Sequence, residues 1–287
     1  MRPVPTCVLS GSAAPVLSDG HAVDRFVQTG SLTKVVTGTA LTRMAASGVL
    51  ALDDPVERWL PTAPRTGITL LQLARHTSGL PRLPPGPLPR RDPYAAFDRP
   101  ALDRLLPRLD TLATRPPGQA EEYSNLGYAV LGAALTAASG TTYEELVTEY
   151  VLRPLDITEM TARPDPARRL PAPGLLGRPR RPWTMDGAIL PAGGLWATPR
   201  AAADLVVRLL VERRLGDPAP SWQTSGPLRW HNGATRHASL FAGATDDGRW
   251  VLIHRLNATP EDTDRAGLDI LRNSAGRTAP DEKPGAR

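Results

Sequence analysis

Lysine is almost missing from this chain of 287 residues. Only Lys34 and Lys283 occur, and arginine supplies the rest of the 34 basic residues. Cysteine is rarer still: the lone Cys7 excludes an intrachain disulfide and reads as a small buried strand residue. No apolar run approaches the ~20 residues of a membrane span. The opening Met1-Arg-Pro-Val-Pro-Thr-Cys-Val-Leu-Ser10 is broken by two prolines and lacks the apolar core of about 7–15 residues of a secretory signal. These absences predict a cytoplasmic protein with no membrane partner. No internal repeat is present, which excludes a solenoid. The formal charge of +5 does not mark a nucleic-acid binder, because arginines and acids are interleaved over most of the chain. Only Arg163 to Arg181, with six arginines among prolines, is locally basic, and it reads as a solvated loop favouring an anionic substrate.

Against that scarcity, the position of Lys34 matters. Residues 31 to 47 contain Leu32, Val35, Val36, Ala40, Leu41 and Met44, apolar almost all round, with Gly48 as the C-terminal stop. The pattern predicts a buried helix. Ser31 and Lys34, three apart, then share one face near its N-terminus. Burial and the positive helix end both favour the neutral amine, which accepts a proton; arginine stays protonated. Ser-x-x-Lys alone is common by chance, so further signals have to carry the reading.

A second signal lies in Pro116-Pro-Gly-Gln-Ala-Glu-Glu-Tyr123-Ser-Asn125-Leu-Gly-Tyr128. A Pro-Gly turn there leads into an apolar helix from Leu126 to Ser139, ended by Gly140. Tyr123 and Asn125 fall at the helix entry. A phenol there relays a proton if a cation lowers its pKa, and the amide can bond both an amine and a substrate carbonyl. The plainer alternative makes Asn125 an N-cap and Tyr123 a packing aromatic. A third signal, Trp230-His231-Asn232-Gly233-Ala234, lies in a β-like run from Pro227 to Thr235. Candidate strands Ala238 to Ala244 and Trp250 to Leu256 follow, joined at Asp246-Asp247-Gly248. Gly233 permits close approach to an edge strand, and the next N–H can form half of an oxyanion hole; the plainer reading of His-Asn-Gly is a hairpin turn.

These three motifs, in this order, resemble the serine β-lactamase and penicillin-binding protein family, especially its class C and esterase-like branch. The likeness extends through Gly30 to Lys34, Gly48 to Val56, Ile68 to Pro81 with its His76-Thr-Ser-Gly, and the glycine-rich Pro191 to Thr198. It covers roughly residues 23 to 162 and 184 to 256. The resemblance implies Ser31 as nucleophile, Lys34 and Tyr123 as the base and proton-relay pair, and Asn125 as a positioning amide. His231 would stand where stricter members carry lysine, and the N–H groups of Ser31 and Ala234, set by Gly233, would form the oxyanion hole. It implies no metal and no cofactor. His76 is left as part of a structural turn, and His21, His237 and His254 have no metal-ligand spacing. The histidine removes a permanent cation, a charge that Arg236 or another arginine can replace. The stretch from Tyr123 to His231 is short for the family, which predicts a more open pocket or one completed by a partner.

The expected fold is α/β of the α+β kind, an antiparallel sheet flanked by helices plus a mostly helical lobe. Strand-like runs at Val4 to Ser10, Pro15 to Gly20 and Arg25 to Thr29 would join the three C-terminal strands and a helix near Asp262 to Asn273. Residues 1–30 and 186–287 would then form the sheet region and 31–185 the helical lobe, with the site in the cleft between. The expected activity is a serine acyl hydrolase acting on a small ester or amide. An acyltransferase, a β-lactamase or D,D-peptidase, and a non-catalytic binding protein are the alternatives.

Overall fold

A computed structural model describes residues 4–11, 13–86, 92–174 and 178–274; Lys283 lies outside them. Its strands are β1 (Thr6–Ser10), β2 (Val16–Ser18), β3 (Val27–Gln28), β4 (Met160–Thr161), β5 (Trp196–Ala197), β6 (Gln223–Ser225), β7 (Leu228–Ala234), β8 (Ala238–Thr245) and β9 (Trp250–Leu256). Its helices are α1 (Thr33–Ala46), α2 (Leu70–Ala74), α3 (Arg99–Leu105), α4 (Leu109–Leu112), α5 (Asn125–Ser139), α6 (Tyr143–Val147), α7 (Leu190–Gly193), α8 (Pro199–Val206) and α9 (Pro260–Ser274). Among the described residues no helix is long and apolar enough to cross a membrane.

Both chain ends feed one antiparallel sheet in the order β2-β1-β9-β8-β7-β6. Strand β8 sits inside it and is buried from Ala238 to Ala244, as an apolar run covered on both faces must be. Its side chains divide by the period of two: Leu240, Ala242 and Ala244 join the main core, whereas Phe241 packs with Val251 and Ile253 under α9. The expected third N-terminal strand does not join this sheet. Val27–Gln28 instead pairs with β5, and β5 with β4, in a small second sheet. The cause is tertiary, since Thr29 N–H bonds Leu195 O at 3.2 Å, far along the chain, and Gly30 then turns the backbone. The sixth place in the main sheet is taken by β6, a polar stretch with no alternation to announce it.

Helix α1 is buried at every position from Thr33 to Leu41 and again at Met44. The segment from Gly30 to Leu32 is a 3-10 turn rather than part of the α-helix, so Ser31 stands at the mouth of the helix. Helix α5 starts one residue earlier than the pattern indicates. Its cap is Ser124, whose Oγ accepts from Gly127 N–H at 2.8 Å, so Asn125 is not an N-cap and its amide is free for other partners.

Candidate active site

Two glycines bring the sheet edge onto the serine turn. Gly30 has φ +54°, and a Cβ on it would lie 2.8 Å from Ala234 N; a Cβ on Gly233 would lie 2.0 Å from Thr29 O. No other residue type fits either place without moving backbone. Strand β6 covers β7 only from Leu228 to Trp230, which leaves the edge from His231 to Ala234 for this contact. Thr235 N–H bonds Ala238 O at 2.9 Å, so by antiparallel alternation Ala234 N–H points away from β8, towards the turn bearing Ser31. The N–H of Ser31 lies in the first helical turn, whose amides have no intrahelical acceptor. His231, Asn232 and Gly233 are all strand, as the β-like run indicates and not the plainer alternative of a hairpin turn; Arg236-His237 make the turn.

One turn along, Lys34 is fully buried. Its Nζ lies 3.1 Å from Ser31 Oγ, 2.8 Å from Asn125 Oδ1 and 2.6 Å from Ala192 O. No carboxylate balances it among the described residues. Burial first, and then the nearby Arg82 guanidinium, hold the amine well below the ordinary lysine range. An unpaired buried ammonium costs several kcal/mol, so burial favours the neutral form. A neutral amine has two N–H donors and one lone pair. Asn125 Oδ1 and Ala192 O can only accept from it, so the lone pair is left for the Ser31 hydroxyl.

Tyr123 meets the same oxygen from the other side, its OH donating to Ser31 Oγ at 2.6 Å. Burial drives the phenol up to about 12, against the opposing pull of the Ser31 hydrogen bond and Arg82. The cation that was to lower this phenol is therefore present, as Arg82 5.1 Å from the ring centroid, but burial outweighs it. At rest Tyr123 is a neutral donor.

The Tyr123-x-Asn125 segment is clamped by the loop after α2. Glu122 N–H donates to His76 O at 2.7 Å, Ser124 N–H to His76 Nδ1 at 3.0 Å and Asn125 N–H to Arg82 O at 2.9 Å. Because Nδ1 of His76 accepts, its proton belongs on Nε2. Burial, followed by Lys34, His231 and Arg82, pushes this imidazole down to about 3. His76 is thus a neutral brace, its ring 4.4 Å from that of Tyr123. His231 is buried on β7, with Nδ1 2.6 Å from Asn232 O, and burial and Lys34 push it to about 4. It too is neutral at pH 7. Asn232 alternates to the opposite face, where its Nδ2 donates to Asp264 at 2.8 Å.

Three contributors escape a reading of the sequence. Tyr94 OH accepts from Asn125 Nδ2 at 2.8 Å, which fixes the amide with Oδ1 towards Lys34. Ala192 contributes a main-chain carbonyl, for which no side-chain signal exists. Arg82 is exposed and lies directly after the Leu80-Pro81 of the clamping loop. Only its place in that loop hinted at it.

Comparison with known proteins gives the family. The Beta-lactamase family model matches residues 20–286. The chain belongs to the Beta-lactamase family. Curated relatives of this member include the D-alanyl-D-alanine-carboxypeptidase/endopeptidase AmpH of Escherichia coli K12, 35% identical over 186 residues, 62% of this chain and 47% of that protein. Esterase EstB of Burkholderia gladioli is 31% identical over 190 residues, 58% of this chain and 46% of the relative. The matches thus span about half the length of these relatives. Among solved structures, a β-lactamase/D-alanine carboxypeptidase from Yersinia pestis shares the fold at TM-score 0.78 and 20% identity, covering 96% of this chain and 93% of that one.

Proposed function

We propose that this family member is a serine acyl hydrolase that forms an acyl-enzyme on Ser31 and hydrolyses a small ester or amide. The observation that carries the reading is the placement of Ser31 Oγ between the Tyr123 phenol at 2.6 Å and a Lys34 amine at 3.1 Å whose two N–H groups are already engaged. Lys34 takes the hydroxyl proton as Oγ bonds to the substrate carbonyl carbon. The negative charge that develops on the carbonyl oxygen meets the N–H groups of Ser31 and Ala234, a pair worth about 10²–10³ per donor in turnover. Collapse expels the leaving group with a proton from Tyr123, which the Lys34 ammonium makes good. Water then repeats the sequence on the acyl-enzyme, with Lys34 again the base.

The names of the relatives, a carboxypeptidase/endopeptidase and an esterase, support acyl transfer from both amides and esters. Neutral His231 puts no permanent cation at the position where stricter members carry lysine, which favours esters over substrates whose carboxylate needs a lysine there. The test is the intact-protein mass after brief exposure to an activated aryl ester. One acyl mass per chain on the wild type and none on Ser31→Ala is the expected result. An unmodified wild type that also fails to turn the ester over would overturn the reading.

A further inference from the structure

The Ala192 carbonyl engages one of the two N–H groups of the Lys34 amine, yet it comes from the short helical turn α7, which has Pro191 inside it. A proline has no N–H with which to tie such a turn down. What grips it is a row of buried threonines at a spacing of four, Thr29, Thr33 and Thr37. Thr29 Oγ1 donates to Leu195 O at 2.7 Å, Thr33 Oγ1 accepts from Leu195 N–H at 3.2 Å, and Thr37 Oγ1 lies 2.7 Å from Pro191 O. On its other side Pro191 rests on α5 at Gly132, where a Cβ would lie 2.1 Å from the proline Cγ.

Thr37 has a further partner, the buried Tyr143 OH at 2.7 Å. A carbonyl can only accept, and of the two carbonyls that Thr37 Oγ1 reaches, Pro191 O at 2.7 Å is nearer than Thr33 O at 3.2 Å. The threonine proton therefore goes to Pro191 O, and the Tyr143 phenol donates to Thr37. This chain from Tyr143 through Thr37 fixes the carbonyl one residue before the one that meets Lys34 Nζ at 2.6 Å.

We propose that Thr37 and Tyr143 are positioning residues for the reaction: they hold the Ala192 carbonyl on Lys34, so that the amine turns its lone pair to Ser31. The inference rests on the acyl-enzyme reading, to which it adds the support behind the base. The test is the turnover of an activated aryl ester by Thr37→Val, Thr37→Ser and Tyr143→Phe. Thr37→Val keeps the shape and loses the hydroxyl; its kcat should fall roughly tenfold or more, as a misplaced base does, with KM within about threefold of the wild type. Thr37→Ser restores the hydroxyl and should recover most of the loss, and Tyr143→Phe should lose several-fold in kcat. A carbonyl favours the ammonium over the amine, so loosening it moves the acidic limb of kcat/KM to lower pH. The other groups that act on or face Lys34, namely Arg82, His76, His231, Tyr123 and Tyr128, are left in place by these substitutions. A kcat within twofold of the wild type for Thr37→Val, a loss that Thr37→Ser shares, or a limb moved to higher pH overturns the proposal. Should Thr37→Val not fold, Tyr143→Phe decides by the same split of kcat from KM. Should the wild type turn over no ester, the acyl-enzyme reading fails by itself, and lysine 13Cε NMR decides the clamp. With two lysines in the chain, the Lys34 signal is the one missing from Lys34→Arg. A Lys34 signal displaced in Tyr143→Phe and Thr37→Val and returned in Thr37→Ser upholds the clamp, and a signal unmoved in both overturns it.

Discussion

Ser31, Lys34, Tyr123 and Asn125 were legible because each motif is local: the serine–lysine pair follows from one helical turn, and the tyrosine–asparagine pair from a helix entry. Tyr94 and Arg82 were not, because they sit in irregular proline-rich chain, where no periodicity places a side chain, and they reach the site only through tertiary packing. Arg82 yields a prediction of its own. After burial it is the next cause of the depressed Lys34 amine, and it lies against Tyr123. A base acts only when deprotonated, so activity should rise with pH through the pKa of Lys34. Removing a cation raises that pKa. Arg82→Gln should therefore move the acidic limb of kcat/KM to higher pH, whereas a limb that stays in place, or moves to lower pH, would contradict the role given to Lys34.

The strands were legible where alternation or burial marked them, which is why β7, β8 and β9 fall within a residue of expectation. Strand β6 was not, since Gln223-Thr-Ser is polar and partly exposed and owes its place to the neighbouring β7. Nor was the allegiance of β3, which depends on a bond to Leu195 far along the chain. What the sequence could not reveal is why Gly233 has to be glycine: the reason lies across the fold, in a carbonyl 2.0 Å from where a Cβ would be. Gly233→Ala should push β7 off the Ser31 turn, withdraw the Ala234 N–H and reduce kcat by about 10²–10³, the value of one oxyanion donor. Activity within twofold of the wild type would show that Ala234 is not one.

Across the whole molecule, two histidines that brace or line the site are kept neutral by burial, His76 near 3 and His231 near 4 against 6.5 when exposed. Below pH 6.5 the unfolded chain binds protons that the folded one refuses. Their contribution to stability is complete above pH 6.5 and is lost as pH falls towards the folded values, at about 1.4 kcal/mol per pH unit for each. The urea midpoint should accordingly drop steeply between pH 6.5 and 4.5; a flat midpoint there would contradict their neutral burial. Burial likewise lowers the Lys34 amine, and the proposed mechanism turns on its lone pair facing Ser31. The most direct measurement is the intact-protein mass after exposure to an activated ester, with Lys34→Arg beside Ser31→Ala across pH 6 to 9. One acyl group on the wild type and none on either variant at any pH is the predicted result. An adduct forming on folded Lys34→Arg at the wild-type rate would contradict it.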